Sequence, residues 1–250
     1  MKPNYGIDAP GLVRVFITAA IGLLFTSAFF FYLSPVQNWA GWIAAPIFIL
    51  ALYPLGMFCL MLWSSLITKL KDRELILDLI TWRGDENVLD VGCGRGLMVI
   101  GAARRLTTGH ATGIDIWAAK DQSQNSEFAA MQNAKIEELA SRVTIQTADM
   151  RELPFTNQSF DVVVSNWVVH NLDDINDRRK ALVEMLRVLK PNGKILLTDI
   201  ENREEYLAEF KSQGCKELKL VIFSPLKDKL LKIVSFGSFA PSTIIAKPHR

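Results

Sequence analysis

Val88-Leu-Asp-Val-Gly-Cys-Gly-Arg-Gly96 decides the reading of this chain. An apolar strand pattern runs without a break into three glycines on alternate positions, and helical spacing follows from Gly96 to Leu106. Glycine has no Cβ and visits left-handed conformations freely, so this turn lets a ligand approach the backbone closely. The spacing lacks the Gly-x-Gly-x-x-Gly of a dinucleotide site and the Lys-Ser/Thr of a phosphate loop. Asp90, two residues before Gly92, discriminates further. A carboxylate there repels a pyrophosphate and suits a cationic amine. Taken alone, Asp90 reads equally well as a cap for the following helix.

Outward from the loop, helix and strand patterns alternate. Leu70–Trp82 is helical and stops at Gly84-Asp85. Strands are expected at Asn87–Val91, Ala111–Ile114, Val143–Gln146, Phe160–Ser165, Lys194–Thr198, Glu217–Phe223 and Thr243–Ala246. Further helices are expected at Glu127–Ala140, Ile175–Leu189 (ending before Pro191) and Arg203–Ser212. Continuous apolar strands alternating with helices imply an α/β fold: a Rossmann-like, doubly wound, mostly parallel sheet of seven strands. Such sheets bind ligands beyond the carboxyl ends of their strands, at the topological switch point.

At this point Lys69–Pro248 resembles the class I S-adenosylmethionine-dependent methyltransferases. After the glycine loop, four further segments fit in order: Gly113-Ile-Asp-Ile116, Thr147-Ala-Asp-Met150, Arg151–Phe155 with Ser159–Ser165, and Leu189–Leu197 with its Pro-Asn-Gly turn. Asp115 ends the second strand, where a carboxylate can accept two hydrogen bonds from a ribose diol. The resemblance implies that Asp149 meets the adenine amine. It also implies a cofactor site drawn from Asp90, Gly92, Cys93, Gly94, Gly96, Asp115, Ile116, Trp117, Ala148, Asp149, Met150 and Asn166. The chain departs from the family pattern at Trp117–Ser126, a longer link than usual. Trp117 reads as an adenine-facing residue or as a seal on the core, and Gln122, Ser123 and Asn125 as lining the cleft. Asp161, early in the fourth strand, reads as structural.

Methyl transfer needs alignment and exclusion of water; it needs a base only where the acceptor loses a proton. His170 follows the fourth strand in Ser165–Leu172, where the cleft opens. Imidazole titrates near neutrality, so His170 is the candidate base or substrate contact, against a reading as a helix-end residue. Asp199, ending the fifth strand, is a second substrate candidate. His110 and His249 are less well placed. Cys59, Cys93 and Cys215 have no metal-ligand or redox spacing, so neither a metal nor a disulfide is expected.

The charges place the domain. Val15–Thr68 contains no Lys, Arg, Asp or Glu, so 51 of the 54 charged residues fall in the 182 residues from Lys69 onward. Disorder, a cysteine-rich scaffold and a nucleic-acid partner are excluded by the high apolar content, three cysteines and a net charge of +2. Residues 1–68 are expected to be a membrane anchor and residues 69–250 the methyltransferase domain. Leu12–Leu33 and Ile43–Trp63 are each long enough to cross the hydrocarbon layer as a helix. Pro46 and Pro54 also allow a re-entrant second segment. The Ser34–Trp42 loop has no cation, whereas Lys2, Arg14, Lys69, Lys71 and Arg73 flank the spans. The positive-inside rule then puts both termini and the domain in the cytosol. Leu226–Phe236 alternates lysines with apolar residues in helical register. It reads either as a helix covering the sheet or as a segment resting on an anionic bilayer.

These readings converge on a membrane-anchored enzyme with S-adenosylmethionine as cofactor and a small or lipid-like methyl acceptor. The rivals are a catalytically silent S-adenosylmethionine-binding membrane protein and a nucleotide-dependent oxidoreductase.

Overall fold

The computed structural model describes residues 2–118, 121–235 and 241–248. Phe236, His249, Ala119, Lys120 and the side chain of Lys227 therefore lie outside the described residues. The chain divides into two compact units. One is Gly6–Lys69 with Ala118–Gln124; the other is Met1–Tyr5 with Leu70–Trp117 and Asn125–Arg250. The larger unit thus reaches beyond the 69–250 expected from the charge boundary, because residues at the start of the chain pack with it.

The smaller unit is a helical pair, α1 (Pro10–Leu33) and α2 (Asn38–Trp63), ending in a π-helical turn at Ser64–Thr68. Pro10 opens α1, where its missing N–H costs nothing. Pro46 and Pro54 lie inside α2, which continues through both. The pair packs on small residues: Ala20, Ala40, Ala44 and Ala51 are buried, and Ser27 Oγ donates to the Ala44 carbonyl at 2.8 Å. The large apolar side chains, among them Phe25, Phe31, Tyr32, Trp42 and Ile49, point outward. Both helices are long and apolar enough to cross a membrane.

The larger unit takes in α3 (Lys69–Leu77) from Leu70 onward, β1 (Asn87–Val91), α4 (Leu97–Ala103), β2 (His110–Asp115), α5 (Glu127–Ile136), β3 (Val143–Thr147), β4 (Phe160–Asn166), α6 (Ile175–Val188), β5 (Leu189–Asp199), α7 (Arg203–Ser212), β6 (Cys215–Val221), α8 (Pro225–Val234) and β7 (Ser242–Pro248). The seven strands form one sheet in the order β3-β2-β1-β4-β5-β7-β6, and β7 alone runs antiparallel to its neighbours. The strand pleat sends alternate side chains to opposite faces. Val162 and Val164 of β4 enter the core under α3, α4 and α5, while Val163 enters the core under α6 and α7. Leu196 of β5 joins the first core, and Ile195 and Leu197 join the second. Each such side chain, fully buried, contributes about 1.5–3 kcal/mol, which is why these strands are apolar on both faces. The Pro191-Asn-Gly193 turn is taken up inside β5: Phe160 pairs with Leu189 and Val162 with Lys194, so the extra residues bulge.

The sheet turns from one winding direction to the other between β1 and β4. The switch point therefore lies between the glycine loop after β1 and the segment carrying His170 after β4.

Candidate active site

The glycine loop is held by the neighbouring strand. Gly92 N and Cys93 N both donate to the Ile114 carbonyl, at 2.9 and 2.8 Å, and Gly94 N donates to Asp115 Oδ2 at 2.8 Å. Gly92, Gly94 and Gly96 all have positive φ, between 52° and 88°. The loop thus takes a path that side-chain-bearing residues adopt only with strain.

Asp90 makes the contact of a helix cap and keeps one oxygen to spare. Its Oδ2 accepts from Val99 N at 2.8 Å, in the first turn of α4, as a cap would. Its Oδ1 is buried with no hydrogen-bond partner. Burial pushes the carboxyl up to about 8, the Val99 N–H lowers it, and the nearby Asp115 raises it. An unpaired buried oxygen costs about 1–3 kcal/mol, and a cationic donor entering the cleft would remove that cost.

Asp115 gathers three donors: Gly94 N, Trp117 N at 2.6 Å, and Asn125 Nδ2 at 3.3 Å. A carboxylate offers about four acceptor positions, so one remains for a ligand hydroxyl. Ile116 presents an exposed apolar side chain just beyond the strand. Trp117 does not share that exposure. Its indole Nε1 donates to Thr147 Oγ1 at 2.7 Å and its ring packs on the core, so it seals the ends of β2 and β3. Ile116 and the half-buried Trp117 together form the apolar surface at the end of β2.

Asp149 is engaged by Arg151, whose side chain folds back to make two-pronged contact at 2.6–3.1 Å and also pairs with Asp177 at 2.7 Å. That guanidinium holds the Asp149 carboxyl below its ordinary range. Sequence proximity explains the contact: the two residues share one turn after β3. Ala148 and Met150 pack on the core beneath the same turn. Asn166 ends β4, level with Thr198 of β5. Cys93 is buried, and burial raises its thiol. Asp161 accepts from Lys190 Nζ at 2.7 Å and Asn87 N at 2.9 Å, ties that hold the sheet.

The structure brings His170 and Asp199 together. His170 sits in a short 3₁₀ turn, Val169–Asn171, anchored by the buried Val169. Its Nδ1 lies 2.5 Å from Asp199 Oδ1, and its backbone N donates to Asp199 Oδ2 at 3.0 Å. Asp199 is buried and further held by Ile200 N at 2.8 Å and the Tyr206 hydroxyl at 3.2 Å. Burial, with the Asp199 charge, raises the Tyr206 phenol above its ordinary range, so it stays a donor. A carboxylate fixed from four directions orients the imidazole.

Sequence reasoning missed Tyr206, which lies in the middle of an ordinary amphipathic helix, and missed the pairing itself. It also missed the strain around the cleft. Trp117, Trp167 and Asn202 have φ of 63°, 56° and 57°, and they follow β2, β4 and β5 at the sheet's carboxyl edge. Non-glycine residues persist in this conformation only where the surroundings over-determine them, commonly at functional sites.

Residues 89–197 match a family model described as a methyltransferase domain. The 2-phytyl-1,4-naphtoquinone methyltransferase of Nostoc sp. is 32% identical over 167 residues, which cover 65% of this chain and 68% of that protein. The 27-O-demethylrifamycin SV methyltransferase of Amycolatopsis mediterranei is 33% identical over 135 residues, covering 53% of this chain and 44% of that protein. The chain spans about two fifths of the length of the curated relatives it matches first. Among solved structures, geranyl diphosphate C-methyltransferase from Streptomyces coelicolor, bound to S-adenosyl-L-homocysteine, superposes with a TM-score of 0.57 at 16% identity, covering 75% of this chain and 82% of that one. At that identity the likeness shows the fold.

Proposed function

The chain belongs to the S-adenosylmethionine-dependent methyltransferases, and from that premise we propose that it methylates a small, lipophilic acceptor that loses a proton in the reaction, a hydroxyl before other atoms. The family's cofactor fits the residues present. The buried, unpartnered Asp90 Oδ1 suits its amino group. Asp115 has an acceptor position for the ribose, and Ile116 offers an apolar surface for the base. When bound, S-adenosylmethionine supplies a methyl carbon made electrophilic by the attached sulfonium.

The observation that carries the reading is the His170–Asp199 pair at 2.5 Å beside the switch point. An acceptor that loses no proton needs no such pair. His170 Nε2 would take the proton of the acceptor hydroxyl. Asp199 keeps Nδ1 as the donor and stabilises the imidazolium that results. The half-buried ring and the strained loops around it hold that nitrogen in place and limit water.

The bilayer enters through the helical pair. Its small residues face inward and its phenylalanines and tryptophans outward, the arrangement of helices that pack against one another in lipid. The cation-free loop and cationic flanks favour both termini, and with them the catalytic domain, on the cytosolic side. A lipophilic acceptor dissolved in the membrane would then meet the enzyme there. Relatives named for a phytyl-naphthoquinone and a demethylrifamycin are in keeping with a small-molecule acceptor.

The test is untargeted mass spectrometry of a membrane extract incubated with the full chain and deuteromethyl-labelled cofactor. A labelled lipophilic product, formed by the wild type and lost in His170→Ala, is expected. Cofactor binding without any labelled product would overturn the proposal and leave a silent binder.

A further inference from the structure

A helix that covers a sheet buries its apolar stripe. In α8 the stripe is the most exposed part. Leu226, Leu230 and Ile233 stand at i, i+4 and i+7, on one side of the helix, and are 80%, 59% and 64% exposed. Phe223, just before the helix, is exposed as well. Leu231 and Val234, on another side of α8, are half-buried, so the exposed stripe is not the side by which the helix meets the rest of the chain.

The charge around the stripe identifies what covers it. Lys211–Ser235 holds six lysines against Glu217 and Asp228, a net +4, whereas the whole chain carries +2. The rest of the chain is therefore net acidic, and this stretch is its basic pole. Lys229 on α8 and Lys216 and Lys219 on the edge strand β6 are exposed. An apolar stripe bordered by lysines is complementary to an anionic phospholipid surface: leucines enter the acyl boundary and lysines meet the headgroups. A second copy of the same basic face would meet like charge.

We propose that α8 is an interfacial helix that docks on anionic phospholipid, with Leu226, Leu230 and Ile233 as the inserted residues and the surrounding lysines reading headgroup charge. This surface works whatever the acceptor is, so it can be tested without turnover.

The test is amide hydrogen exchange of the full chain in nanodiscs of pure phosphatidylcholine and of phosphatidylcholine with 30% phosphatidylglycerol. Exchange over residues 226–234 should slow roughly tenfold in the anionic discs, and high salt should reverse the difference. Leu226→Glu with Leu230→Glu and Ile233→Glu should restore fast exchange in both. Lys229→Gln with Lys232→Gln should remove most of that phosphatidylglycerol dependence, at roughly threefold per lysine, and leave binding to the pure phosphatidylcholine discs unchanged. Cofactor binding by each variant, measured by calorimetry, serves as the check on folding. Identical exchange in both lipids would overturn the proposal. So would slowing that tracks the number of chains per disc, which would assign the stripe to a second copy.

Discussion

Gly92 and Val168 are in direct contact: a Cβ built on Gly92 would lie 2.3 Å from Val168 Cγ2. The glycine loop after β1 and the segment after β4 that carries His170 therefore set each other's position. One switch point thus keeps the glycine loop and the His170 segment in register. Gly92→Ala meets both the clash and a φ of +75°. Strain and overpacking of this kind cost about 1–3 kcal/mol each. Cofactor affinity should fall roughly tenfold to a hundredfold by calorimetry. Gly92→Ala combined with Val168→Ala should recover part of it. A single variant that binds normally would show that the loop moves independently of Val168.

Asp90 makes cofactor affinity depend on pH. With its carboxyl raised to about 8, the side chain is mostly protonated below that value, and the cofactor's ammonium favours the ionised form. Binding below pH 8 must then release a proton. Affinity should rise with pH between 6 and 7.5, by at most tenfold per unit. Calorimetry in buffers of different ionisation enthalpy measures the released proton directly. Asp90→Asn should abolish both the slope and the proton. A wild type whose affinity is flat over this range would mean that Asp90 is not the amine's partner.

The His170–Asp199 pair predicts a separation of binding from chemistry. His170→Ala should lower kcat about 10²–10⁴-fold while cofactor affinity stays within about twofold, since neither side chain touches the glycine loop's hydrogen bonds. Asp199→Asn should fall about as far, because an amide can present its NH₂ to Nδ1 and force the wrong tautomer. Both are measured by product formation on the acceptor found in the membrane extract. Full activity in His170→Ala would move the role to another residue.

What was legible in the sequence follows from how far each signal reaches. The strand-glycine-helix segment is local, and β1 appears where its apolar run ends, at Asn87–Val91. His170 and Asp199 were each visible as residues after a strand. Their contact was not, because it depends on β4 and β5 lying level, with Asn166 opposite Thr198, and spacing in one strand says nothing of register with another. Trp117 was open between two roles for the same reason: its indole partner, Thr147, is brought opposite Asp115 by the β2–β3 pairing. The exposed stripe of α8 shows the converse. Its amphipathic pattern was plain, but a pattern does not say whether the apolar side is covered.

The start of the chain was the feature least visible in advance, and it carries the last prediction. An uncharged run beginning at Val15 draws the eye to a domain start at Lys69, yet residues 4 and 5 belong to the catalytic unit. The Asn4 carbonyl accepts from Arg95 Nε at 2.7 Å and from Asn133 Nδ2 at 2.9 Å, and Asn4 N donates to Asn133 Oδ1 at 2.8 Å. Asn133 Nδ2 also donates to the Arg95 carbonyl at 2.9 Å, so one buried amide joins the start of the chain to the glycine loop. Tyr5 donates to Glu137 at 2.6 Å and lies under the Arg73 guanidinium, 5.8 Å from its ring centre. Deleting residues 2–5 strips partners from these buried groups, at about 1–3 kcal/mol for each one left unsatisfied. The melting temperature should drop by several degrees, and cofactor affinity should weaken, because Arg95 stands between Gly94 and Gly96. Tyr5→Phe, which keeps the ring, should lose the hydroxyl's bonds, among them those to Glu137 and from Arg73 Nη1, at about 1 kcal/mol each. Thermal unfolding of the two variants in the same detergent gives the comparison, and an unchanged melting temperature in the deletion would refute the role assigned to the segment.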